Sequence, residues 1–505
     1  MRFPLFRALY KLHYITPLGF IRLIYCFLCE GLTIMALVRF SRIYHAKETA
    51  FVSEETRLTY EDLYPQAVLL TKILCKEYGL EKGMKVGVLC RNHAVSALLL
   101  AALSRLGVHV RLLNSDIMSE KMEKLLQSRK MDCLIYDEEL SEKCLPTHLP
   151  CKSITTEALQ TQMKESGRYD AVKVSHIYRG GQIAVLTGGS SGNYKEASRK
   201  TGLFQFLPPF FALLKVIRIQ DYSSVFVALP FYHGFGLGVL IVAMAMGKKI
   251  CMSRHFHTEE ALDRIAGERV EVLPIVPTML SRMWQAKNAT DRMKTVRCII
   301  SGGDRLDKKL VEETHAHLGP VLYNLYGTSE AGFFMMATPT DLDANAETTL
   351  GRPIKGVECD VREMRENGVG TLWVRSKWAM IGVQNHWQST GDLMYKNEQG
   401  YFFHRGIAKN MVVCGGENVY PEGVELVVNQ HPEVVGSKVY GVPDSDFGCV
   451  LNATVELREG SALTEQELKE WLRAKLSRAE LPHQITFKKL DVLSTGKRKN
   501  IVIDG

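Results

Sequence analysis

VGVLC (86–90), HAVSALLLAALSRLG (93–107), HVRLLN (109–114), SEKMEKLLQSRK (119–130) and DCLIYD (132–137) follow one another in close succession. Short apolar runs alternate here with amphipathic stretches of helical period, the rhythm of βαβ units. The apolar runs are nearly continuous, as expected of parallel strands covered by helices on both faces. The same rhythm resumes with QIAVLT (182–187), VFVALP (225–230), KKICMS (248–253), VLPIVP (272–277) and VRCIIS (296–301), separated by segments such as TEEALDRIAGE (258–268). The expected fold is therefore α/β, a large N-terminal region of doubly wound sheets.

Beyond about residue 350 the texture changes to short polar strands and turns, GVGTLWVRS (368–376) and NEQGYFF (397–403), which predict a small β subdomain. A compact α+β unit closes the chain. Within it Thr464 and Glu467 form a capping-box pattern ahead of a helix whose Leu468, Trp471, Leu472 and Leu476 share one apolar face.

The chain has 505 residues, about three units of domain size. A composition of 46% hydrophobic and 23% charged residues excludes a largely disordered chain and leaves ample material for a core. The net charge of +8 is concentrated at the ends: residues 1–46 carry six Arg or Lys against one Glu, and 481–505 carry five against two Asp. No block of five or six consecutive like charges occurs, so nucleic acid is not an expected partner, whereas small anions or a membrane surface are. The twelve cysteines are scattered and read as reduced thiols of a cytoplasmic protein. His255 with His257 and His315 with His317 lack a third metal ligand nearby in the sequence.

The apolar N-terminal segment, 1–46, is interrupted by Arg22, Glu30 and Arg39, and holds no spanning-length apolar run. It reads either as packed onto the body of the protein or as an amphipathic helix lying on a membrane, with Phe20, Ile24, Phe27 and Leu28 turned into it. A second stretch, 225–247, has no formal charge but is broken by Pro230 and by glycines 234, 236 and 238. It reads as a strand, a glycine-rich loop and a buried helix VLIVAMAM.

The stretch richest in chemistry is LTGGSSGNYK (186–195). Glycines 188, 189 and 192 let backbone approach an anion, Thr187, Ser190 and Ser191 offer hydroxyl donors, and Lys195 adds a mobile positive charge. The stretch cradles phosphate in composition, but its glycine–lysine spacing is not that of a P-loop.

This stretch resembles the phosphate loop of the adenylate-forming superfamily of acyl-CoA synthetases, carrier-domain adenylation enzymes and luciferases. FYHGFGLG (231–238), SGGDRL (301–306), LYGTSE (325–330), STGD (389–392), GGENVYP (415–421) and STGK (494–497) match in the family's order. The resemblance implies an adenylation domain over 47–408, a hinge at Lys409 and a small mobile C-terminal domain over 409–505. It implies ATP, magnesium and CoA as cofactors. Nucleotide contacts fall on Thr187, Gly189, Ser190, Ser191, Gly192, Lys195, Gly302 and Gly303, with Tyr326 against the adenine and Asp392 on the ribose diol. Ser329, where Thr is usual, meets the α-phosphate, Glu330 holds magnesium as a hard oxygen ligand, and His233 lines the acyl pocket. Lys497 is the expected catalytic lysine, offsetting the repulsion between a carboxylate and the α-phosphate. After a rotation about the hinge, Gly415, Gly416, Glu417 and Asn418 line the thiol's tunnel.

Four residues depart from the family pattern. Ile407 stands where an Arg helps hold ribose and phosphate, Asn410 replaces an Asp, and Tyr194 and Glu196 replace Pro and Gly in the phosphate loop. Weak ATP binding is the expected consequence, unless Arg405 reaches into the place of the missing arginine. The expected activity is that of an AMP-forming acyl-CoA synthetase for a hydrophobic acid. The GGENVYP loop and the LNSD segment (113–116) are most similar to fatty-acid CoA ligases. An enzyme loading a carrier-protein phosphopantetheine and a degenerate, non-catalytic binding protein are the alternatives.

Overall fold

The computed structural model describes residues 3–491 except 55, 118, 189–193, 201, 202, 366, 367, 415, 416 and 445–447. Two large sheets organise the N-terminal region. One has six strands in the order Lys152–Thr155, Cys133–Tyr136, Lys85–Leu89, His109–Leu112, Gln182–Gly188, Tyr194–Lys200. All neighbours are parallel except the last pair, an antiparallel hairpin that sets Thr187 opposite Lys195. The second sheet has nine strands, with Ser224–Val227, Lys249–Met252, Val272–Ile275, Cys298–Gly302 and Leu322–Thr328 forming its parallel centre. The expected doubly wound architecture is thus present, and it is the near-unbroken apolar runs that form the parallel strands.

Helix Ala94–Leu106 shows why. Every residue but Arg105 is buried, so the segment is a core helix wedged among other elements rather than a surface helix with a polar face. Its ends are set locally, by His93 accepting from the Ser96 N–H at the N-terminus and by Gly107 in the left-handed region at the C-terminus.

Helix Gly234–Ala245 begins earlier than expected: glycines 234, 236 and 238 lie inside it, not in a preceding loop. The reason is steric and non-local. A Cβ on Gly236 would stand 2.4 Å from the Pro230 carbonyl oxygen and 2.6 Å from that of Leu229, so only glycine lets the first turn fold back against the strand end. The helix then packs on Ile34–His45, where Ser41 donates to the Met244 carbonyl at 2.6 Å.

The N-terminal segment divides accordingly. Helix Ile34–His45 is built into the main core. Helix Pro17–Glu30 instead turns Phe20, Ile24 and Leu28 to solvent and buries only Gly19, Cys26 and Glu30. Among the described residues no helix is long and apolar enough to cross a membrane.

A four-stranded antiparallel sheet, Val357–Arg362, Val369–Ser376, Gln388–Lys396 and Phe402–Ile407, follows as the β subdomain. From Cys414 onward the chain has its own core, built on Val434–Asp444, Gly448–Leu457 and Gln484–Phe487 with helices Pro421–Asn429 and Glu465–Arg473. The capping box at Thr464 and Glu467 is formed, and Leu468 and Leu472 are buried. This unit rests on the large region through cations donating to backbone carbonyls. Arg305 reaches Glu422 O at 2.6 Å, and Lys309 reaches His431, Pro432 and Val434 at 3.0, 2.8 and 3.2 Å.

Candidate active site

Sheet pairing, not sequence proximity, assembles the site. Gly302 is in parallel register with Leu325, which brings SGGDRL against LYGTSE. A Cβ on Gly302 would stand 2.9 Å from the Leu325 carbonyl oxygen and 3.2 Å from the Phe235 ring, so FYHGFGLG joins the same cluster. Strand Leu322–Thr328 turns into the antiparallel Gly332–Ala337, and Ser329 and Glu330 occupy the turn. Loop 376–383 clamps this turn: Met380 N–H donates to the Glu330 carbonyl at 2.7 Å, and Ile381 N–H donates to that of Ser198 at 2.9 Å. One short loop therefore ties the strand that follows the phosphate-loop segment to the Glu330 turn.

Tyr326 and Asp392 meet directly. The Tyr326 hydroxyl donates to the Asp392 carboxylate, whose other oxygen lies 3.5 Å from His404 Nε2. Burial, reinforced by Asp392, pushes the phenol well above its ordinary value, so Tyr326 remains a donor. The ring packs edge-on to Phe334, centroids 5.2 Å apart, which fixes its plane. His404 was not legible in the sequence as a site residue.

His233 caps helix Gly234–Ala245, half-buried, with its ring 4.6 Å from that of Tyr232. Tyr232 in turn accepts from Ser115 of the LNSD segment at 3.4 Å. Beside them opens a cleft of about 260 Å³, lined by residues that include Arg91, Ser115, Tyr232, Arg254, His255 and Arg282. It lies at the carboxyl ends of the parallel strands, where open α/β sheets bind ligands. Among the described residues Glu139 is the carboxylate paired with Arg91 and Arg254, at 3.0 and 3.5 Å, so the three arginines leave the cleft cationic. Sequence reading missed these arginines because Arg91 and Arg254 follow two different strands, Arg282 lies in helix Pro277–Trp284, and no contiguous motif contains them.

The departures acquire a geometry. Ile407 pairs with Asp392 across the β subdomain, directly beside the expected ribose-holding carboxylate. Arg405 does not reach into its place: the guanidinium is held by Glu347 at 2.5 Å and lies over Tyr395 and Phe403. Asn410 donates to the Glu422 carboxylate at 2.5 Å, where an Asp would meet a like charge.

Of the expected residues, strand pairing sets Gly302 beside Leu325 and the Phe235 ring and brings Tyr326 onto Asp392, with Ser329 and Glu330 on the turn that follows, whereas none of these lines the cleft beside Tyr232. Gly189, Ser190, Ser191, Gly192, Gly415, Gly416 and Lys497 lie outside the described residues, as do the side chains of Thr187, Tyr194, Lys195, Glu196, Lys409, Glu417 and Asn418. The residues present suit magnesium by donor chemistry. Glu330 offers a carboxylate beside the Thr328 and Ser329 hydroxyls, all hard oxygens, on a turn whose backbone is fixed by Met380. Elsewhere Cys90, His93 and Asp137 group closely in the interior. There Asp137 accepts from His93 at 2.8 Å, Thr156 at 2.7 Å and the Arg91 N–H at 2.8 Å, a network that braces the strand ends.

Comparison with known proteins gives the same frame. The 2-succinylbenzoate–CoA ligase of Bacillus cereus is 23% identical over 456 residues, covering 87% of this chain and 91% of that protein. That of Lactococcus lactis subsp. lactis is 25% identical over 411 residues, covering 80% and 86%. Among solved structures, the anthranilate CoA ligase AuaEII in complex with anthranoyl-AMP superposes with a TM-score of 0.81 at 19% identity, over 92% of this chain and 95% of that one. The o-succinylbenzoate CoA synthetase of Bacillus subtilis with its acyl-adenylate gives 0.76 at 22%, over 92% and 96%. These structural likenesses are of fold. Residues 40–383 match the family described as AMP-binding enzyme and residues 423–497 match its C-terminal domain, so the chain belongs to the AMP-binding enzyme family.

Proposed function

We propose that the protein is an AMP-forming acid–thiol ligase: it joins a hydrophobic, fatty carboxylic acid to the α-phosphate of ATP, releases pyrophosphate, and passes the acyl group to CoA. The observation that carries this reading is the contact between Tyr326 and Asp392. It places an aromatic face and a two-oxygen acceptor side by side, as a nucleoside requires, one strand turn from Ser329 and Glu330. Magnesium held by Glu330 would neutralise charge on the phosphates.

The cationic cleft supports CoA over a carrier protein as acceptor. Three arginines against one glutamate match a thiol bearing several phosphates better than a pantetheine on a single phosphodiester. For the acid, Gly234 and Gly238 stand one turn apart on their helix with open space where each Cβ would be. That strip gives room for an apolar chain beside His233. The relatives named above act on acids with aromatic rings, so a chain is distinguished from a ring by experiment.

The test is pyrophosphate release across a panel of straight-chain and aromatic acids, including 2-succinylbenzoate, with Gly238→Leu alongside. Straight-chain acids are expected to lead, and Gly238→Leu to shift the optimum to shorter chains. Preference for aromatic acids overturns the fatty reading, and no release with any acid overturns ligase activity and favours a binding protein. CoA-dependent AMP release excludes an obligatory carrier.

The register of Ile407 opposite Asp392 yields a second expectation. Ile407→Arg adds a charged donor next to the ribose site, and a charge-assisted hydrogen bond contributes about 1.5–3 kcal/mol. Partial pairing with Asp392 consumes some of that, leaving KM for ATP about tenfold lower. An unchanged KM and turnover refute the idea that this position limits ATP binding.

A further inference from the structure

We infer that helices Phe3–Lys11 and Pro17–Glu30 form a docking face for the surface of an anionic lipid bilayer. Eight of the twelve exposed large apolar side chains among the described residues belong to these two helices. On the second, Leu18, Ile21, Tyr25 and Leu28 recur at helical spacing, with Ile21 63% and Leu28 69% exposed. An exposed apolar patch of this continuity marks an interaction site.

The body extends the patch. Tyr178, 84% exposed, is brought alongside by His176, which contacts the Leu28 carbonyl at 2.6 Å, and by the pairing of Leu32 with Arg179. Helix Phe3–Lys11 packs on the turn Leu213–Ile217, whose Val216 is also exposed. Tyrosines 10, 25 and 178 give the face the amphipathic rings favoured at a membrane–water boundary.

Charge selects a bilayer over other apolar partners and names its sign. Between residues 3 and 45 the only acid is Glu30, which is buried and taken up by Arg39 at 2.6 Å, Arg105 at 2.9 Å and Tyr64 at 2.6 Å. The segment therefore shows no exposed carboxylate, while Arg7 is exposed on the first helix, Arg22 of the second lies over the Tyr44 ring, and Arg42 lies over the Tyr64 ring. A helix of 14 residues spans only about 21 Å, too short to cross a bilayer core of about 30 Å, so it lies in the interface. The face is rigidly joined to the interior. Tyr14, following the first helix, donates to the Ala245 carbonyl at 2.6 Å, at the end of the helix that carries Gly234 and Gly238.

The test is flotation of the full chain with vesicles of phosphatidylcholine alone or with phosphatidylglycerol, beside the variant Ile21→Ser/Leu28→Ser. Both positions are solvent-facing, so the fold is retained; deleting the segment is avoided because Ile34–His45 belongs to the core. The wild-type chain is expected to float with phosphatidylglycerol vesicles, less so at high salt, and the variant to bind at least about tenfold more weakly with pyrophosphate release unchanged. Failure of the wild-type chain to float overturns the proposal. So does equal binding to both lipid mixtures, or a lipid-free dimer that the same variant dissociates, which would assign the face to a second copy of the chain.

Discussion

Asp392→Ala lowers kcat/KM for ATP by about 100- to 1000-fold while leaving the fold intact. The carboxylate has acceptor capacity for about four hydrogen bonds, of which Tyr326 and His404 address two. On the proposed function, a ribose diol would supply two donors to the remaining lone pairs. Hydrogen bonds to a charged acceptor contribute about 1.5–3 kcal/mol each, and two acting together correspond to two or three powers of ten. The residue is half-buried, so truncation leaves no large cavity in the core. Steady-state kinetics with ATP varied, and thermal unfolding as the control, check this. Asp392→Asn should fall between the two, since the amide oxygen still accepts but the charge is gone. A KM for ATP within twofold of wild type in the alanine variant refutes the assignment of this carboxylate to the nucleotide.

The layered α/β architecture was legible because its cause is local: strands buried on both faces are continuously apolar, and DCLIYD and VRCIIS, spaced by amphipathic segments, are runs of that kind. The start of helix Gly234–Ala245 was not, because the need for glycine at 236 comes from the carbonyls of Leu229 and Pro230 and not from helix propensity. Strand Tyr194–Lys200, YKEASRK, was equally hidden. It is polar and holds its place by pairing with the apolar Gln182–Gly188.

The site divides in the same way. Tyr326, Ser329, Glu330 and Asp392 sit in short motifs that the family resemblance marks as candidate site residues. His404 and the arginines of the cleft become neighbours of the site only through strand pairing and chain reversal, and no local pattern records either. Likewise the substitution at 410 looks like decay in sequence, but in the fold it removes a like-charge contact with Glu422. Ile407 has no such compensation, and that contrast is what makes it the informative position to restore.

Lys497→Ala is expected to abolish adenylate formation, by about three powers of ten or more, while sparing transfer to the thiol. The argument is electrostatic. A carboxylate approaching the α-phosphate brings two anions together, and a cation placed between them acts most strongly where charge is concentrated in the transition state; loss of one such donor costs about 100- to 1000-fold even when it is neutral. Transfer from a preformed acyl-adenylate to CoA has no such pair to separate. The C-terminal unit rests on the large region through Arg305 and Lys309, which donate to backbone carbonyls, and through Asn429 donating to Asp307 at 3.1 Å and Arg458 lying 3.7 Å from Glu313. Arg305 is itself deeply placed, and burial pushes its guanidinium down to about 10, still charged at neutral pH. A rotation that moves Lys497 away between the two half-reactions is consistent with contacts of this kind. Supplying synthetic acyl-adenylate and CoA to Lys497→Ala should therefore give acyl-CoA at a near wild-type rate, with pyrophosphate release lost. Arg498→Ala and Lys499→Ala, neighbours of Lys497 in the sequence, should change neither step by more than about twofold if Lys497 alone carries the chemistry. Equal loss in both half-reactions would place Lys497 in the folding or docking of the small domain and remove it from the chemistry.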